Sequence, residues 1–342
     1  MLKTSEPARN GLFTKLGVTA FAAIFALTAC GESAAGDSGS DDDAGTETSS
    51  DDHGEDSGAA EASGEPIQIT GVPAEDASAL ESKFDLLLEI VESETGRPAE
   101  FNHSTDYNAV IEALVAGQAD LAVGSPFTYV RAGDAGADVD VLGGRIEEEG
   151  EEAGYVSYAL VPPDSDIETL EDAEGRDVCY VEQGSTSGFL YPSAGMLDAG
   201  LEPQDDVNAH FPGSHDGAVL AMMDGQCDLA FAYDSMVEVL MPSREELSEE
   251  DYEVIWESPM IPASPIFMNE GTLDEATQDS LRSMFEDNLI NIDSLVEAGY
   301  CEEATPEGCG LPEDSYEYTP VDDGIYDGIR EVCEITQAEA CD

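Results

Sequence analysis

Residues 106–130 read DYNAVIEALVAGQADLAVGSPFTYV, and residues 214–236 read SHDGAVLAMMDGQCDLAFAYDSM. Each stretch opens on polar residues and then carries apolar residues at helical spacing. Each then turns at Gly-Gln and passes through Asp-Leu-Ala into a short apolar run with a polar loop at its end. Apolar intervals of three and four mark one face of a helix, and a short apolar run after a glycine marks a strand. The same helix, joint and strand occurring twice is a weak internal repeat, as two related α/β lobes leave.

The flanking sequence extends the pattern. IQITGV (67–72) alternates like a strand, and Leu80, Phe84, Leu87, Leu88 and Val91 recur at helical spacing between Ser78 and Glu94, with Gly96 as a C-cap. AEFNHST (99–105), DLAVGSP (120–126), VDVLGG (139–144) and the long run YVSYALVPP (155–163) read as strands, with a helix over Asp106–Ala116. A second cycle follows, with strands at 177–183, 207–213, 227–233, 252–258 and 264–271. Its helices fall at 188–197 and 215–225, and one long helix runs from Leu273 to Glu297. Alternating strands and helices predict an α/β fold of two lobes, each a mainly parallel sheet flanked by helices. The 342 residues leave room for both lobes. Lobe 1 is expected to comprise residues 66–155 and 260–342, and lobe 2 residues 156–259. Ligands in such sheets collect at the carboxyl ends of strands.

One such end is EQGSTSGFLYP (182–192), a strand end followed by a helix. The first turn of a helix has unpaired N–H groups and carries the positive end of the dipole. Gly184 and Gly188 let the backbone approach closely, and Ser185, Thr186 and Ser187 add neutral donors. An anion can sit there without a cation. Plain capping needs only one such hydroxyl. Gly124-Ser125-Pro126-Phe127-Thr128-Tyr129 reads as the counterpart turn in the first lobe, with Pro126 near the first helical position.

The charge balance restricts partners. There are 77 acidic against 11 basic residues, a net charge of −66. Nucleic acid is excluded as a partner, since phosphate backbones are bound by displacing counterions with Lys and Arg. Acid spread through the whole chain suits either general solubility or life in high salt, where screening shortens repulsion.

At the N-terminus, Lys3, Arg9 and Lys15 precede the apolar stretch LGVTAFAAIFALTAC (16–30). A membrane-spanning helix needs about 20 apolar residues, so this stretch is read as an export signal. Leu27-Thr28-Ala29-Cys30 resembles a bacterial lipobox, which implies cleavage before Cys30 and lipid on its sulfur. Residues 31–65, rich in Gly, Ser and acid, are expected to be a disordered linker. The other six cysteines, Cys179, Cys227, Cys301, Cys309, Cys333 and Cys341, are even in number in an oxidising compartment, so disulfides are expected. Proximity favours pairing within 301–309 and 333–341, and adjacent strands can join Cys179 to Cys227, but spacing leaves the connectivity open. No CxxC pair occurs, and no metal is expected.

The ordered chain resembles the phosphate/phosphite/phosphonate-binding proteins of bacterial ABC importers. The resemblance is carried by GVPAEDASAL (71–80), residues 105–130, GSTSGFLYP (184–192), residues 213–236 and SPMIPASPIF (258–267), in the family's order. It implies a type II periplasmic-binding clamshell without a cofactor. The family's anion loop falls on Ser185, Thr186 and Ser187, its pocket histidine on His215, its pocket carboxylate on Asp234 and a tyrosine on Tyr107. Ser125, Thr128 and Tyr129 match its first-lobe loop less tightly. A charged His215 can meet an anion, although a helix N-terminus opposes that charge. A carboxylate such as Asp234 repels an oxyanion unless one of them carries a proton or the ligand carries an ammonium group. The reading is therefore a monomeric, lipid-anchored receptor that hands phosphate, phosphite or a phosphonate to an ABC permease. A sensor serving a membrane signalling partner through the same pocket is the alternative. A Ser185–His215–Asp234 triad is disfavoured, since no nucleophile-elbow GxSxG accompanies it. The tail beyond about Gly299 matches nothing in the family pattern.

Overall fold

The computed structural model describes residues 64–74 and 84–341. The expected export signal, Cys30, nearly all of the acidic linker and the start of the first helix lie outside the described residues. The first half runs β1 (Ile67–Gly71), α1 (Asp85–Thr95), β2 (Ala99–His103), α2 (Tyr107–Val115), β3 (Leu121–Val123), α3 (Pro126–Asp134) and β4 (Val139–Ile146). The chain then forms β5 (Gly154–Tyr155), β6 (Ser157–Val161), β7 (Asp177–Cys179), a π-helical turn over Thr186–Leu190, α4 (Tyr191–Asp198) and β8 (Asn208–His210). It continues as α5 (His215–Met223), β9 (Leu229–Tyr233) and β10 (Glu253–Glu257). It closes with β11 (Ile261–Pro262), β12 (Pro265–Asn269), α6 (Glu275–Glu286), α7 (Ile292–Ala298), β13 (Glu317–Thr319) and α8 (Asp327–Thr336).

Two sheets result, ordered β13-β4-β12-β3-β1-β2 and β10-β6-β9-β7-β8. Each contains a parallel trio, β2-β1-β3 in one and β8-β7-β9 in the other. The remaining strands pair antiparallel. The reason is the path of the chain: β6 and β12 enter their sheets from β5 and β11, which form a short antiparallel ribbon where the chain passes between the sheets.

Burial follows the sequence pattern. Ile67 and Ile69 of β1 pack with Leu87, Ile90 and Val91 of α1 and with Leu281 and Phe285 of α6. Val178 and Phe231 pack with Tyr180, Phe189 and Trp256 in the second half. Full burial of such a side chain is worth about 1.5–3 kcal/mol, so these clusters hold each sheet to its helices. A third cluster contains residues from both halves, including Tyr107, Phe127, Val181, Leu190, Val219 and Phe267, together with Tyr326 and Ile329 of the tail.

Two expectations about elements need correction. The long helix over 273–297 is two helices, because Asn288 adopts φ 56° and Asn291 then caps α7, accepting from the N–H groups of Asp293 and Ser294. The run 155–163 is likewise interrupted at Val156. Disulfides join Cys179 to Cys227, Cys301 to Cys309 and Cys333 to Cys341. The first ties the end of β7 to the approach to β9, its neighbour in the sheet. The tail is integrated: β13 extends the first sheet along β4, and α8 packs on both α3 and α4.

Among the described residues no helix is long and apolar enough to cross a membrane, and no group of His, Cys, Asp and Glu could hold a metal ion.

Candidate functional site

Each parallel trio presents three carboxyl ends, and chain from all of them reaches one small cavity of about 20 Å³. From the first trio come Val72 and Ala74 after β1, Tyr107 after β2 and Ser125 after β3. From the second come Ser185 and Ser187 after β7, His215 after β8 and Tyr233 at the end of β9. Among the described residues, Arg145, Tyr155, Ser264 and Glu313 complete the lining.

The turn after β7 is built by close approach. A Cβ on Gly184 would lie 2.5 Å from Cβ of Tyr107, and one on Gly188 would lie 2.4 Å from Cβ of Val181. Ser185 has extended backbone, and its Oγ caps the turn by accepting from the Gly188 N–H at 3.0 Å. The following turn is π-helical, a geometry that recurs at functional sites. The Ser187 hydroxyl lines the cavity while its carbonyl accepts from Ser157 Oγ at 2.6 Å. Thr186 is fully buried and does not line the cavity; its Oγ1 accepts from the Phe127 N–H at 3.0 Å.

His215 opens α5 with its ring buried, its Nε2 3.3 Å from Ser185 Oγ. Its Nδ1 is buried with no hydrogen-bond partner among the described residues. Burial pushes its pKa down to about 3, so the imidazole is neutral in the physiological range rather than charged. Tyr107 is buried beside Ser185, and desolvation raises its pKa despite a hydrogen bond with that serine, so it remains a neutral phenol.

The first-lobe turn is stiffer. Ser125 Oγ accepts from the Thr128 N–H at 3.1 Å and lies 2.9 Å from Thr128 Oγ1. Ser125 reaches the cavity, but Thr128 does not line it. Tyr129 also lies off the cavity, donating its hydroxyl to Asp323 at 3.0 Å and packing on Phe267 and Tyr326. Asp234 is likewise not brought to the cavity. Its carboxylate accepts from the N–H groups of Val156 and Ser235, as a cap does. Desolvation, aided by Glu147, raises its pKa to about 6.

Hydrogen bonds join the two halves around the cavity, among them Ser235 Oγ to Glu147 at 2.8 Å and the following backbone donors. The Phe127 N–H donates to Thr186, the Tyr107 N–H to Glu182 Oε2 at 3.0 Å, and the His215 N–H to the Ala74 carbonyl at 3.0 Å.

Sequence reasoning missed Arg145 and Glu313, so the lining is not free of charged groups. Arg145 ends β4 in Gly-Gly-Arg-Ile, a lone cation at a strand end in an acidic chain, which was a usable signal. Desolvation opposes its charge, but Glu147 and Glu313 outweigh that and raise its pKa. Glu313 lies in the unmatched tail, and no local pattern announces it.

A two-lobed α/β fold closed over a cavity at facing strand ends defines a periplasmic-type solute-binding protein. More particularly, the chain belongs to the phosphonate-binding family of periplasmic substrate-binding proteins of ABC transporters, whose profile matches residues 69–287. The chain is 38% identical over 286 residues to the phosphate-import protein PhnD of Mycolicibacterium smegmatis, an alignment covering 81% of this chain and 88% of that protein. In structure it is similar to a binding-protein component of an ABC phosphonate transporter from Pseudomonas aeruginosa, with a TM-score of 0.68 and 22% identity over 80% of this chain and 87% of that one. It is also similar to PhnD1 of Prochlorococcus marinus in complex with methylphosphonate, with a TM-score of 0.67 and 16% identity over 80% and 98% of the respective chains. These relatives are substrate-binding transport proteins, not enzymes.

Proposed function

We propose that this chain is the lipid-anchored, monomeric solute-binding component of an ABC importer, that it captures a small phosphate- or phosphonate-type oxyanion, and that it delivers it to the permease. The lobes of this reading are residues 66–155 with 260–342, and 156–259, hinged at the β5–β11 ribbon. Cys30 is its lipid attachment, and its acidic surface suits a high-salt environment. The observation that carries the reading is the turn after β7. Ser185, Ser187 and the neutral imidazole of His215 line one cavity at the start of a helical turn, and a helix start of this kind favours an anion. Donors from both lobes meet one ligand only when the lobes close, which couples recognition to the shape the permease reads. The cavity is small enough to favour inorganic or short-chain phosphorus oxyanions over nucleotides. The relatives' names, one a phosphate importer and one holding methylphosphonate, point to the same chemistry.

The test is calorimetric titration of the chain lacking residues 1–30 with phosphate, phosphite, methylphosphonate and aminoethylphosphonate in high salt. At least one should bind tightly. Changing Ser185, Thr186 and Ser187 together to Ala should weaken it by several kcal/mol, at about 0.5–1.5 kcal/mol for each hydrogen bond lost. Unchanged affinity in a folded triple variant would sink the assignment.

A further inference from the structure

The tail beyond β13 touches both halves of the molecule. β13 fixes its start to the first half by pairing with β4. Tyr326 then donates its hydroxyl to the Ala263 carbonyl at 3.0 Å, and its ring lies 5.0 Å from that of Tyr129 on α3. Asp323 accepts from the Tyr129 hydroxyl at 3.0 Å and from Nη2 of Arg330 on α8 at 2.8 Å, which ties α8 to α3. α8 also packs on α4 and on the π-helical turn at 186–190, both in the second half. Ile329 of α8 is fully buried in the cluster that holds Phe127 and Tyr129 of the first half and Leu190 and Tyr191 of the second.

The end of the tail is gripped in the same way. Gln337 turns the chain in the left-handed region, at φ 46°, and the Cys333–Cys341 disulfide ties the residues beyond it back to α8. Within this closed loop Ala338 packs on the second-half cluster that contains Val178 and Phe189. The Cys341 carbonyl accepts from Nη1 of Arg131 on α3 at 2.8 Å. Arg131 is one of only 11 basic residues in the chain, and its charge is placed where it holds the tail. One disulfide-closed loop is thus held by α3 of the first half and by the core of the second.

We infer that the tail from Asp323 to Cys341 is a strap across the two halves that holds the closed form and slows ligand release. The inference rests on the proposed function, because it needs a ligand captured by closure. The chain itself crosses between the sheets at the β5–β11 ribbon, and the tail adds a link there made of packing and hydrogen bonds. A segment gripped by both halves keeps both grips only while they hold this spacing. When the halves separate, the tail stays with one of them and loses its contacts with the other. Contacts that opening breaks favour the closed state, and a ligand held by closure then leaves more slowly.

The test is stopped-flow release, at pH 7, of whichever of inorganic phosphate, phosphite, methylphosphonate and aminoethylphosphonate binds most tightly to the chain lacking residues 1–30. Arg131→Met removes the hydrogen bond to Cys341 and keeps an aliphatic stem. Ala338→Glu places a charge in the contact with the second half. Each should speed release about tenfold while association stays within about twofold. The double variant should release no more than about twofold faster than the faster single one, because a strap freed at one end no longer restrains the other half. A wild-type release rate in either folded single variant overturns the inference and leaves the proposed function standing. So do effects that multiply in the double variant, which mean two independent contacts. If a single variant does not fold, Cys333→Ser with Cys341→Ser takes its place; it frees the same loop and should speed release likewise, and an unchanged rate there overturns the inference. A wild type that binds none of the four oxyanions overturns the proposed function and the inference together.

Discussion

The two parallel trios share one strand order, yet they bring different chemistry to the cavity. In each the first strand of the chain lies in the middle, so β7 corresponds to β1, β8 to β2 and β9 to β3. Asp106 and Ser214 are then equivalent N-caps, and Tyr107 and His215 are equivalent first residues of α2 and α5. The turn at 184–188 corresponds to the one at 71–74, not to the turn at 124–129, which the sequence had suggested as its counterpart. After the central strand, one half offers Val72 and Ala74 while the other offers Ser185 and Ser187. Among the described residues, the duplicated topology thus places hydroxyls after the central strand of one half and apolar residues after that of the other.

The largest effect is expected where Gly184 of one half meets Tyr107 of the other. Gly184→Ala would set a Cβ 2.5 Å from Cβ of Tyr107, and both atoms belong rigidly to backbone. Overpacking of this kind costs about 1–3 kcal/mol, and here it should fall on closure rather than folding. Affinity for phosphate or methylphosphonate should drop about 10- to 100-fold, with unfolding in the absence of ligand little changed. Gly71→Ala is the contrasting variant. Its Cβ would meet Phe84 Cζ at 2.6 Å, within a single half, so folding stability should suffer instead. Paired calorimetry and urea denaturation separate the two, and equal effects of both variants on stability would refute the contrast.

Next in size is Thr186→Val. It keeps shape but removes the acceptor for the buried Phe127 N–H, one of the bonds between the halves. An unsatisfied buried donor costs about 1–3 kcal/mol. When the halves separate, water can satisfy that N–H, so the cost should appear as roughly tenfold weaker ligand binding and not as lost stability. If Thr186→Val binds as the wild type does, this bond plays no part in closure.

The sequence made much of this legible because periodicity and turn chemistry are local. The α/β alternation, the repeat and the glycine-bracketed hydroxyls at 184–188 all lie within short windows. What it could not show was direction and distance. Thr186 and Ser187 are adjacent, yet Thr186 accepts from a backbone N–H of the other half and only Ser187 lines the cavity. Asp234 sits at a strand end as a ligand-binding residue would, but the break at Val156 gives its carboxylate a backbone N–H to accept. Tyr129 faces the tail, because α8 and Asp323 cover that side of α3. Arg145 and Glu313 meet across 168 residues of chain, a pairing that only the β4–β13 edge brings about.

The smallest effect concerns the equivalent pair Tyr107 and His215, of which only the histidine has an ordinary pKa near neutrality. Burial lowers the His215 pKa from 6.5 to about 3 in the folded protein. Above pH 6.5 the ring is neutral in both folded and unfolded chains and makes no pH-dependent contribution. As the pH falls from about 6.5 towards 3, the unfolded chain takes up a proton that the folded one refuses, so stability declines by up to about 1.4 kcal/mol per pH unit. Asp234 works oppositely: its raised pKa contributes stability that is fully present below 3.8 and lost as pH rises through about 6. That contribution is common to wild type and His215→Asn and cancels in their difference. Denaturant unfolding of both proteins between pH 7 and 5 should therefore show the wild type losing stability relative to the variant. The relative loss should stay below about 1 kcal/mol from pH 7 to 6 and steepen from pH 6 to 5. Parallel curves over that range would mean that His215 accepts its proton in the folded state, and that a charged imidazole, not a neutral one, faces the ligand.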